Sequence, residues 1–436
     1  MEVASLLMPG AVISHRSAFE MIPHEGTLFL TARYERTLRL PGLTLRGIRG
    51  PGPQPGDMRV LDLHRASDAR ASLENLKATR VRGVSRALPR PDLEERLERM
   101  LQLGGEQALN QLRDDARELA PALDALNALE SLEQVLGALM HTRKSTLVAR
   151  SAVARASGRP FDERRVRLFE VLAQELTQSW ADTHRPIPPM LSHERAHLAF
   201  VEAYFSNFIE GTRFEVDEAE QIVLHDAPMT SRPADAHDIL GTYRLLFDES
   251  EMRVSMGGFA YEDFSAALRR RHATLLAGRP EARPGDFKRQ HNRAGNTHFV
   301  SPELVEGTLE QGLGVLTQLT TGFQRAALMM FLVAEVHPFD DGNGRLSRAM
   351  MNAELWSDGE ARILVPTAYR TDYLGTLRRL SRDAAPRDFV RMLDRAHEFT
   401  ARLDFEDMQE LKQTLERCNA FDDTELRILR LPKERA

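Results

Sequence analysis

Cysteine is almost absent from this chain of 436 residues, which carries only Cys418. A single thiol excludes an intramolecular disulfide framework and a thiolate metal cluster, and it is typical of a reducing compartment. Apolar runs long enough to span a bilayer are also missing, and no basic leader precedes the short apolar stretch at the start of the chain. The sequence therefore predicts a cytoplasmic protein without an export signal or a membrane segment.

No charge of one sign dominates the chain. The 58 Lys and Arg residues stand against 64 Asp and Glu residues, and the formal net charge is −6. This balance does not indicate bulk binding to nucleic acid. Apolar residues make up 42% and charged residues 28% of the chain, as in globular proteins that bury a core. Because the length exceeds what one core usually organises, we expect two or three domains.

The first third of the chain changes from a strand-like to a helical pattern. From Thr27 to about Leu63, short apolar alternations separated by turn residues are typical of β-strands. Leu, Ala, Glu and Arg then recur at three- and four-residue spacing, which is typical of helices. We therefore predict a small α/β domain over residues 1–90 and a helical connector over residues 91–160.

The remainder of the chain is mostly helical and carries every chemical motif that we find. Turn residues around Asn296 interrupt the helical pattern and indicate a β-hairpin between Asp286 and Val300. The predicted fold class is α+β. It combines a mainly helical catalytic domain over residues 161–400 with the small N-terminal α/β domain and a helical extension over residues 401–436.

Two predicted helices, one ending at Val336 and one starting near Arg345, flank a short loop. Pro338 ends the first helix, and Gly342 and Gly344 let successive backbone N–H groups turn toward one point at the start of the second. Such N–H groups at a helix N-terminus bind anions, so the loop predicts a phosphate site. Its sequence is His337-Pro338-Phe339-Asp340-Asp341-Gly342-Asn343-Gly344-Arg345-Leu346-Ser347-Arg348.

The charged side chains of this loop suit a polyphosphate with its metal ion. Arg345 and Arg348 are three residues apart in the first turn of the second helix, so both can reach one polyphosphate. Asp341 offers a hard oxygen to Mg²⁺. His337, with an unperturbed pKa near the operating pH, is a candidate base for a hydroxyl group that attacks phosphorus. The alternative is a helix cap and a glycine turn, with the arginines as surface charge.

The loop matches the signature of the Fic (Fido) family, His-Pro-Phe-any-acid-Gly-Asn-Gly-Arg-any-any-Arg, at every fixed position, and the chain therefore resembles that family. The resemblance implies a helical Fic core that uses ATP and Mg²⁺ or Mn²⁺ to transfer AMP to a Ser, Thr or Tyr hydroxyl of a target protein or of the chain itself. It also implies individual roles: base for His337, metal ligand for Asp341, backbone nest for Gly342 and Gly344, α-phosphate contact for Asn343, and β- and γ-phosphate contacts for Arg345 and Arg348.

An upstream helix, over about residues 192–211, carries a second motif. The segment Ser206-Asn207-Phe208-Ile209-Glu210-Gly211 resembles the Fic inhibitory motif, in which Ser206 and Glu210 take fixed positions. A Glu210 carboxylate paired with Arg348 would occupy the partner of the γ-phosphate and hold ATP in a non-productive pose. The alternative is an ordinary solvated glutamate at a helix end.

The predicted hairpin resembles the family flap, which holds a target segment by strand pairing. Phe299 is the candidate for the apolar clamp of that flap. The alternative is that Phe299 pins the hairpin onto the helices.

Residues Ala11 to about Leu63 resemble abortive-infection antitoxin-type regulators that accompany Fic domains in bacteria. A winged-helix unit usually opens such proteins and is not encoded before Gly10, so nucleic acid is not a predicted partner. Two alternatives to AMP transfer stay open. One is an enzyme that removes AMP or moves another phosphate-linked group, and the other is a braked nucleotide sensor that binds DNA or a partner through its N-terminal domain. A homodimer that buries the brake also stays open.

Overall fold

The computed structural model describes residues 1–77, 83–225, 232–295, 297–424 and 428–433. The chain forms two compact units, Met1–Pro160 and Phe161–Ala436. Helices dominate and the strands form small sheets, so the predicted α+β class is confirmed. Among the described residues, none of the helices combines the length and apolar character that crossing a membrane requires.

A six-stranded mixed sheet lies in the first unit, with strand order β3-β4-β2-β1-β6-β5. Strands β2 and β4 pair in parallel, with Leu28 opposite Leu45, and both side chains are buried. The strands predicted between Thr27 and Leu63 are therefore confirmed. The six strands are β1 (Val12–Ile13), β2 (Thr27–Ala32), β3 (Arg36–Leu40), β4 (Leu43–Arg49), β5 (Met58–Val60) and β6 (Leu63–Arg65).

The loop between β4 and β5 is fixed by one buried guanidinium. Arg70 donates to Asp57 Oδ2 at 2.7 Å and to the Gly52 and Pro51 carbonyls at 2.9 and 3.0 Å. Its remaining Nε donates to Glu74 Oε1 at 2.9 Å. A loop rich in Gly and Pro forms few backbone hydrogen bonds of its own, and Arg70 supplies the donors that its carbonyls need.

Most of the helices described in the first unit share one apolar core, which β1 enters at Val12. The described helices of this unit are α1 (Glu2–Leu7), α2 (His15–Glu20), α3 (Asp68–Leu76), α4 (Arg90–Leu119, bent at Gly105), α5 (Leu126–Leu139) and α6 (Arg150–Ala156). One cluster of buried apolar residues extends from Val12 and Phe19 through α3 to α4, α5 and α6. The predicted connector, residues 91–160, falls in the same compact unit as the sheet, and its helices bury their apolar faces against α3 and one another.

The second unit is a helical domain with one short hairpin. The hairpin consists of β7 (Arg293–Ala294) and β8 (Thr297–His298), within the predicted region, while position 296 lies outside the described residues. The helices described here are α7 (Glu163–Ser179), α8 (Ser192–Ile209), α9 (Val216–Leu224), α10 (Pro233–Phe247), α11 (Glu249–Met252), α12 (Tyr261–Leu275), α13 (Val305–Leu316), α14 (Gly322–Val336), α15 (Asn343–Ser357), α16 (Arg370–Asp383), α17 (Arg387–Ala401) and α18 (Met408–Arg417).

Helix α14 is the central helix of this unit. Thr321 and Gln324 form a capping box at its start, which satisfies backbone groups that a helix end leaves free. Almost all of its residues are buried, and a helix that is apolar on every side is stable only inside a core. It ends at Val336 with His337 as its C-cap, and α15 begins directly after Gly342. The predicted helix-loop-helix is confirmed.

Helix α8, which carries the predicted inhibitory segment, is held in register by a buried ion pair. Glu202 accepts from Arg362 Nη1 at 3.0 Å and from Asn352 Nδ2 at 2.6 Å. Burial raises the pKa of Glu202, and Arg362 opposes that rise. Sliding α8 along its axis would break this contact, so Ser206 and Glu210, one and two turns further along, have fixed positions.

We expect Glu202→Ala to lower the free energy of unfolding by about 3–5 kcal/mol, because it leaves the buried Arg362 without its carboxylate partner. Chemical denaturation followed by circular dichroism measures the change. The control is Glu416→Ala on α18, an exposed glutamate whose loss should change stability by less than about 0.5 kcal/mol. Equal losses in the two variants would contradict the anchoring role of Glu202.

Candidate active site

The candidate site is built where α14 ends and α15 begins. His337 and Gly342 both adopt left-handed backbone conformations, with φ of 53° and 74°, and they turn the chain at either end of the loop. A side chain at Gly342 would also press on Leu275 and Leu276. The first backbone N–H groups of α15 have no partners within the helix, so this turn presents an anion site at a helix N-terminus.

The structure shows what the side-chain positions of Gly344 and Asn343 contribute to the loop, and their predicted contacts with phosphate stay predictions. Gly344 lies in ordinary helical conformation inside α15, and its missing side chain leaves room for the Glu210 carboxylate. The Asn343 side chain is buried, donates to the Phe339 carbonyl at 2.8 Å and accepts from the Phe339 N–H at 2.9 Å. It therefore pins the loop, and a phosphate contact from Asn343 would come from its backbone N–H.

His337, the candidate base, has a defined tautomer. Its Nδ1 lies 3.2 Å from the Ala334 carbonyl, which can only accept, so the proton sits on Nδ1 and Nε2 keeps its lone pair. The ring stacks on Phe299, with centroids 3.7 Å apart. Burial lowers the pKa of His337 to about 4, in contrast to the unperturbed pKa predicted from sequence. At neutral pH the imidazole is uncharged and can accept a proton.

Phe339 fixes the loop by packing against other aromatic rings. It is fully buried, stacks on His272 with centroids 3.7 Å apart, and lies 5.2 Å from the Phe287 ring. The loop therefore rests on an aromatic base that leaves its backbone little freedom.

Arg348 is buried and surrounded by acceptors from two helices. Its Nη2 donates to Glu210 Oε1 at 2.7 Å and to the Ser206 carbonyl at 2.8 Å, and its Nε donates to Ser206 Oγ at 3.0 Å. Tyr373 Oη accepts from Nη1 at 3.3 Å. The structure thus brings together Glu210, Ser206 and Arg348 as the sequence predicted, and it adds Tyr373, whose contact the sequence did not specify.

Arg345 has partners that the sequence did not indicate. Its Nη1 lies 2.7 Å from Asp238 Oδ2 and 3.4 Å from Asn207 Oδ1. Its Nη2 lies 3.6 Å from Asp341 Oδ1. Asp238 belongs to α10 and stands in no recognisable motif, so only the tertiary fold reveals that this carboxylate orients Arg345.

The neighbouring aspartates of the loop point in different directions. Asp340 accepts from Arg283 Nε at 3.0 Å, away from the phosphate site, as predicted. The Asp341 side chain is half exposed, with Oδ1 held by the Gly342 N–H at 2.6 Å. In the described part of the chain, no three His, Cys, Asp or Glu side chains form a metal cluster. A single carboxylate fits Mg²⁺ that keeps most of its ligands from water and phosphate.

A cleft of about 480 Å³ opens beside the base. The hairpin, the end of α14, the start of α15, helix α16 and Glu210 form its walls. His337, Phe299, Arg348 and Tyr373 all line it. Fold and site together define a helical domain in which a loop at a helix N-terminus, a neutral histidine and an arginine paired with Glu210 meet at one cleft.

The comparisons with known proteins agree with this description. The model of the Fic/DOC family matches residues 263–355, from α12 to α15. Over 102 residues, the chain is 30% identical to a Fido domain-containing protein of Dictyostelium discoideum. The aligned segment covers 22% of this chain and 69% of that protein. This chain therefore belongs to the Fic/DOC family.

More distant relatives match longer stretches. The protein adenylyltransferase Fic of Drosophila melanogaster is 25% identical over 221 residues, 47% of this chain and 41% of that protein. The chain thus spans about two fifths of the fly protein. A crystal structure of a Fic domain-containing signaling protein from Bacteroides thetaiotaomicron aligns with 55% of this chain and 96% of that one, at a TM-score of 0.41 and 17% identity.

We expect His337 to titrate near pH 4 in the folded chain, because burial disfavours its charged form. The midpoint can be measured by NMR of ¹³C-labelled histidines, with His337→Ala to assign the signal. Phe299→Ala uncovers the ring and should move the midpoint upward. A native midpoint near the ordinary value of 6.5, unchanged in Phe299→Ala, would contradict this account of the site.

Proposed function

We propose that this chain transfers AMP from ATP to a Ser, Thr or Tyr hydroxyl of a protein, either a target or the chain itself. The observation that carries the proposal is the arrangement of His337. Its unprotonated Nε2 belongs to a ring that lines the cleft, at the loop that leads into the N-terminus of α15. A neutral base beside an anion site is the arrangement that nucleotidyl transfer to a hydroxyl requires.

In the proposed reaction, the target hydroxyl oxygen attacks the α-phosphorus of ATP. The new O–P bond forms as the bond to the β-phosphate bridging oxygen breaks, and pyrophosphate leaves. The hydroxyl proton moves to His337 Nε2. Backbone N–H groups at the start of α15 stabilise charge on the α-phosphate, while Arg345 and Arg348 hold the departing phosphates.

Asp341 is the residue that would hold the divalent ion, Mg²⁺ or Mn²⁺. When bound, the ion neutralises charge on the phosphates of ATP. Asp238 orients Arg345 from behind, and Arg345 in turn lies near Asp341. The Arg345 guanidinium, the Asp341 carboxylate and the loop N–H groups are therefore neighbours around the place proposed for the polyphosphate.

We further propose that Glu210 inhibits transfer. Its carboxylate pairs with Arg348 and fills the space above Gly344, where the terminal phosphates would lie. Glu210 is the C-cap residue that follows α8 and its side chain is partly exposed, so it can be displaced without unfolding α8. While it stays, ATP cannot place its phosphates for in-line attack.

The name protein adenylyltransferase, given to the fly relative, supports AMP transfer over the alternatives. Removal of AMP by water, or transfer of another phosphate-linked group, would use the same base and loop. A braked nucleotide sensor would use the Glu210–Arg348 pair without turnover. Because the chain carries only Cys418, we propose the cytoplasm as its location.

We expect Glu210→Gly to raise AMP transfer by about 10- to 100-fold, because Arg348 becomes free to position the phosphates. Transfer of α-labelled AMP from ATP with Mg²⁺ to the chain itself and to lysate proteins measures the effect. Glu210→Gln, which keeps the size of the side chain but not its charge, should give an intermediate rate. Glu215→Gly, at an exposed glutamate five residues further on, is the matched control and should behave like the native chain.

Adding His337→Ala to Glu210→Gly should abolish the label while ATP still binds. If label persists without His337, another group serves as the base. If no variant transfers label although each is folded and binds ATP, the chain is not an AMP transferase.

A further inference from the structure

Lys288 holds the chain on both sides of the candidate base. It lies between α12 and the β7–β8 hairpin and is almost fully buried. Its backbone N–H donates to the Pro338 carbonyl at 2.8 Å, and its Nζ donates to the Val336 carbonyl at 3.2 Å. The same Nζ donates to Asn292 Oδ1 at 2.8 Å. These contacts bracket His337 in the sequence.

Asn292 contacts the carbonyls of His337 and Phe339, which lie next to the two that Lys288 holds. Its Nδ2 donates to the Phe339 carbonyl at 2.9 Å and to the His337 carbonyl at 3.4 Å. The orientation of this amide is defined, because the Phe339 and His337 carbonyls can only accept and therefore face the amide nitrogen. Together, the two residues supply donors to the carbonyls of four successive residues, 336–339.

These four carbonyls need donors because the chain turns sharply here, and Asn343 Nδ2 also donates to the Phe339 carbonyl. The last carbonyls of α14 have no partner in the helix, and a buried carbonyl without a hydrogen bond destabilises the fold. His337 itself adopts φ of 53°, a conformation that is costly for a residue with a side chain. Donors from outside the loop let this conformation persist and direct the imidazole into the cleft.

The same residues connect the loop to the hairpin. The Asn292 carbonyl accepts from the Phe299 N–H at 3.3 Å, which closes the base of the hairpin. The Phe299 ring stacks on His337. The hairpin is therefore connected to the His337 backbone through Asn292 and to the imidazole through Phe299. A target segment that pairs with the hairpin would take its position relative to His337 from these two contacts.

We propose that Lys288 and Asn292 are positioning residues for the base. By holding four successive carbonyls, they keep His337 turned into the cleft and set its place relative to the hairpin where the hydroxyl substrate docks. The inference rests on the proposed AMP transfer, and it adds two residues that stand in neither the loop motif nor the inhibitory motif.

The test compares Lys288→Met with Lys288→Arg in the full chain carrying Glu210→Gly. Methionine keeps the apolar stem and the backbone N–H but removes the Nζ donors to Val336 and Asn292, so kcat for AMP transfer should fall about 10- to 100-fold through misplacement of the base. The Kd for ATP with Mg²⁺ should change by less than about twofold, because the N–H groups of α15 and both phosphate arginines are untouched. Arginine keeps donors at this position and should recover part of the lost kcat.

The matched control is Arg289→Met, which removes a positive charge from the exposed neighbouring residue. Its kcat should equal that of the parent. Circular dichroism verifies folding, and Asn292→Asp undergoes the same measurements if Lys288→Met does not fold. A folded Lys288→Met variant with parental kcat contradicts the proposal, and so does one in which ATP binding falls in parallel with kcat.

NMR of the His337 ring separates this inference from the proposed function. If the Glu210→Gly parent transfers no AMP, the proposed function fails, but the ring signal still decides the positioning role. That signal should shift in Lys288→Met and stay in place in Arg289→Met. An unshifted signal in Lys288→Met would overturn the inference.

Discussion

A buried guanidinium needs a negative partner, and this constraint organises the site around Arg348. Removing a charge from water costs several kcal/mol per ion unless a counter-charge and hydrogen bonds replace the water. Ser206 and Tyr373 provide hydrogen bonds, and Glu210 provides the charge. A triphosphate is the other ligand that could provide it. Under the proposed function, inhibition by Glu210 and binding of ATP are two ways of satisfying one arginine, and the contact between Glu202 and Arg362 fixes the position of α8 from which Glu210 reaches it.

The sequence predicted the parts of the site that depend on local rules. Glycine at a left-handed position, arginines three residues apart on a helix, and a serine four residues before a glutamate on α8 all follow from backbone geometry and helical spacing. The hairpin followed from its turn residues in the same way. The structure has these features at the predicted positions because each one depends on residues close in sequence.

What the sequence could not predict depends on distant contacts. Asp238 reaches Arg345 from another helix, and no spacing rule connects them. The lowered pKa of His337 depends on burial and on the Phe299 stack, which only the packed domain contains. The contacts of Gly344 with Glu210 and of Asn343 with Phe339 also became visible only in the folded chain. In the first unit, the helices predicted as a connector pack on α3 and on one another, since an apolar face alone does not reveal which element covers it.

The phosphorus atom of ATP that stays on the protein distinguishes AMP transfer from transfer of a phosphoryl group. The Glu210→Gly chain should be incubated in parallel with ATP labelled at the α-phosphate and with ATP labelled at the γ-phosphate. We predict that the protein retains the α-label and that the γ-label appears in free pyrophosphate. Retention of the γ-label would show that the site transfers a phosphoryl group instead, and retention of neither by chain that binds ATP would contradict AMP transfer.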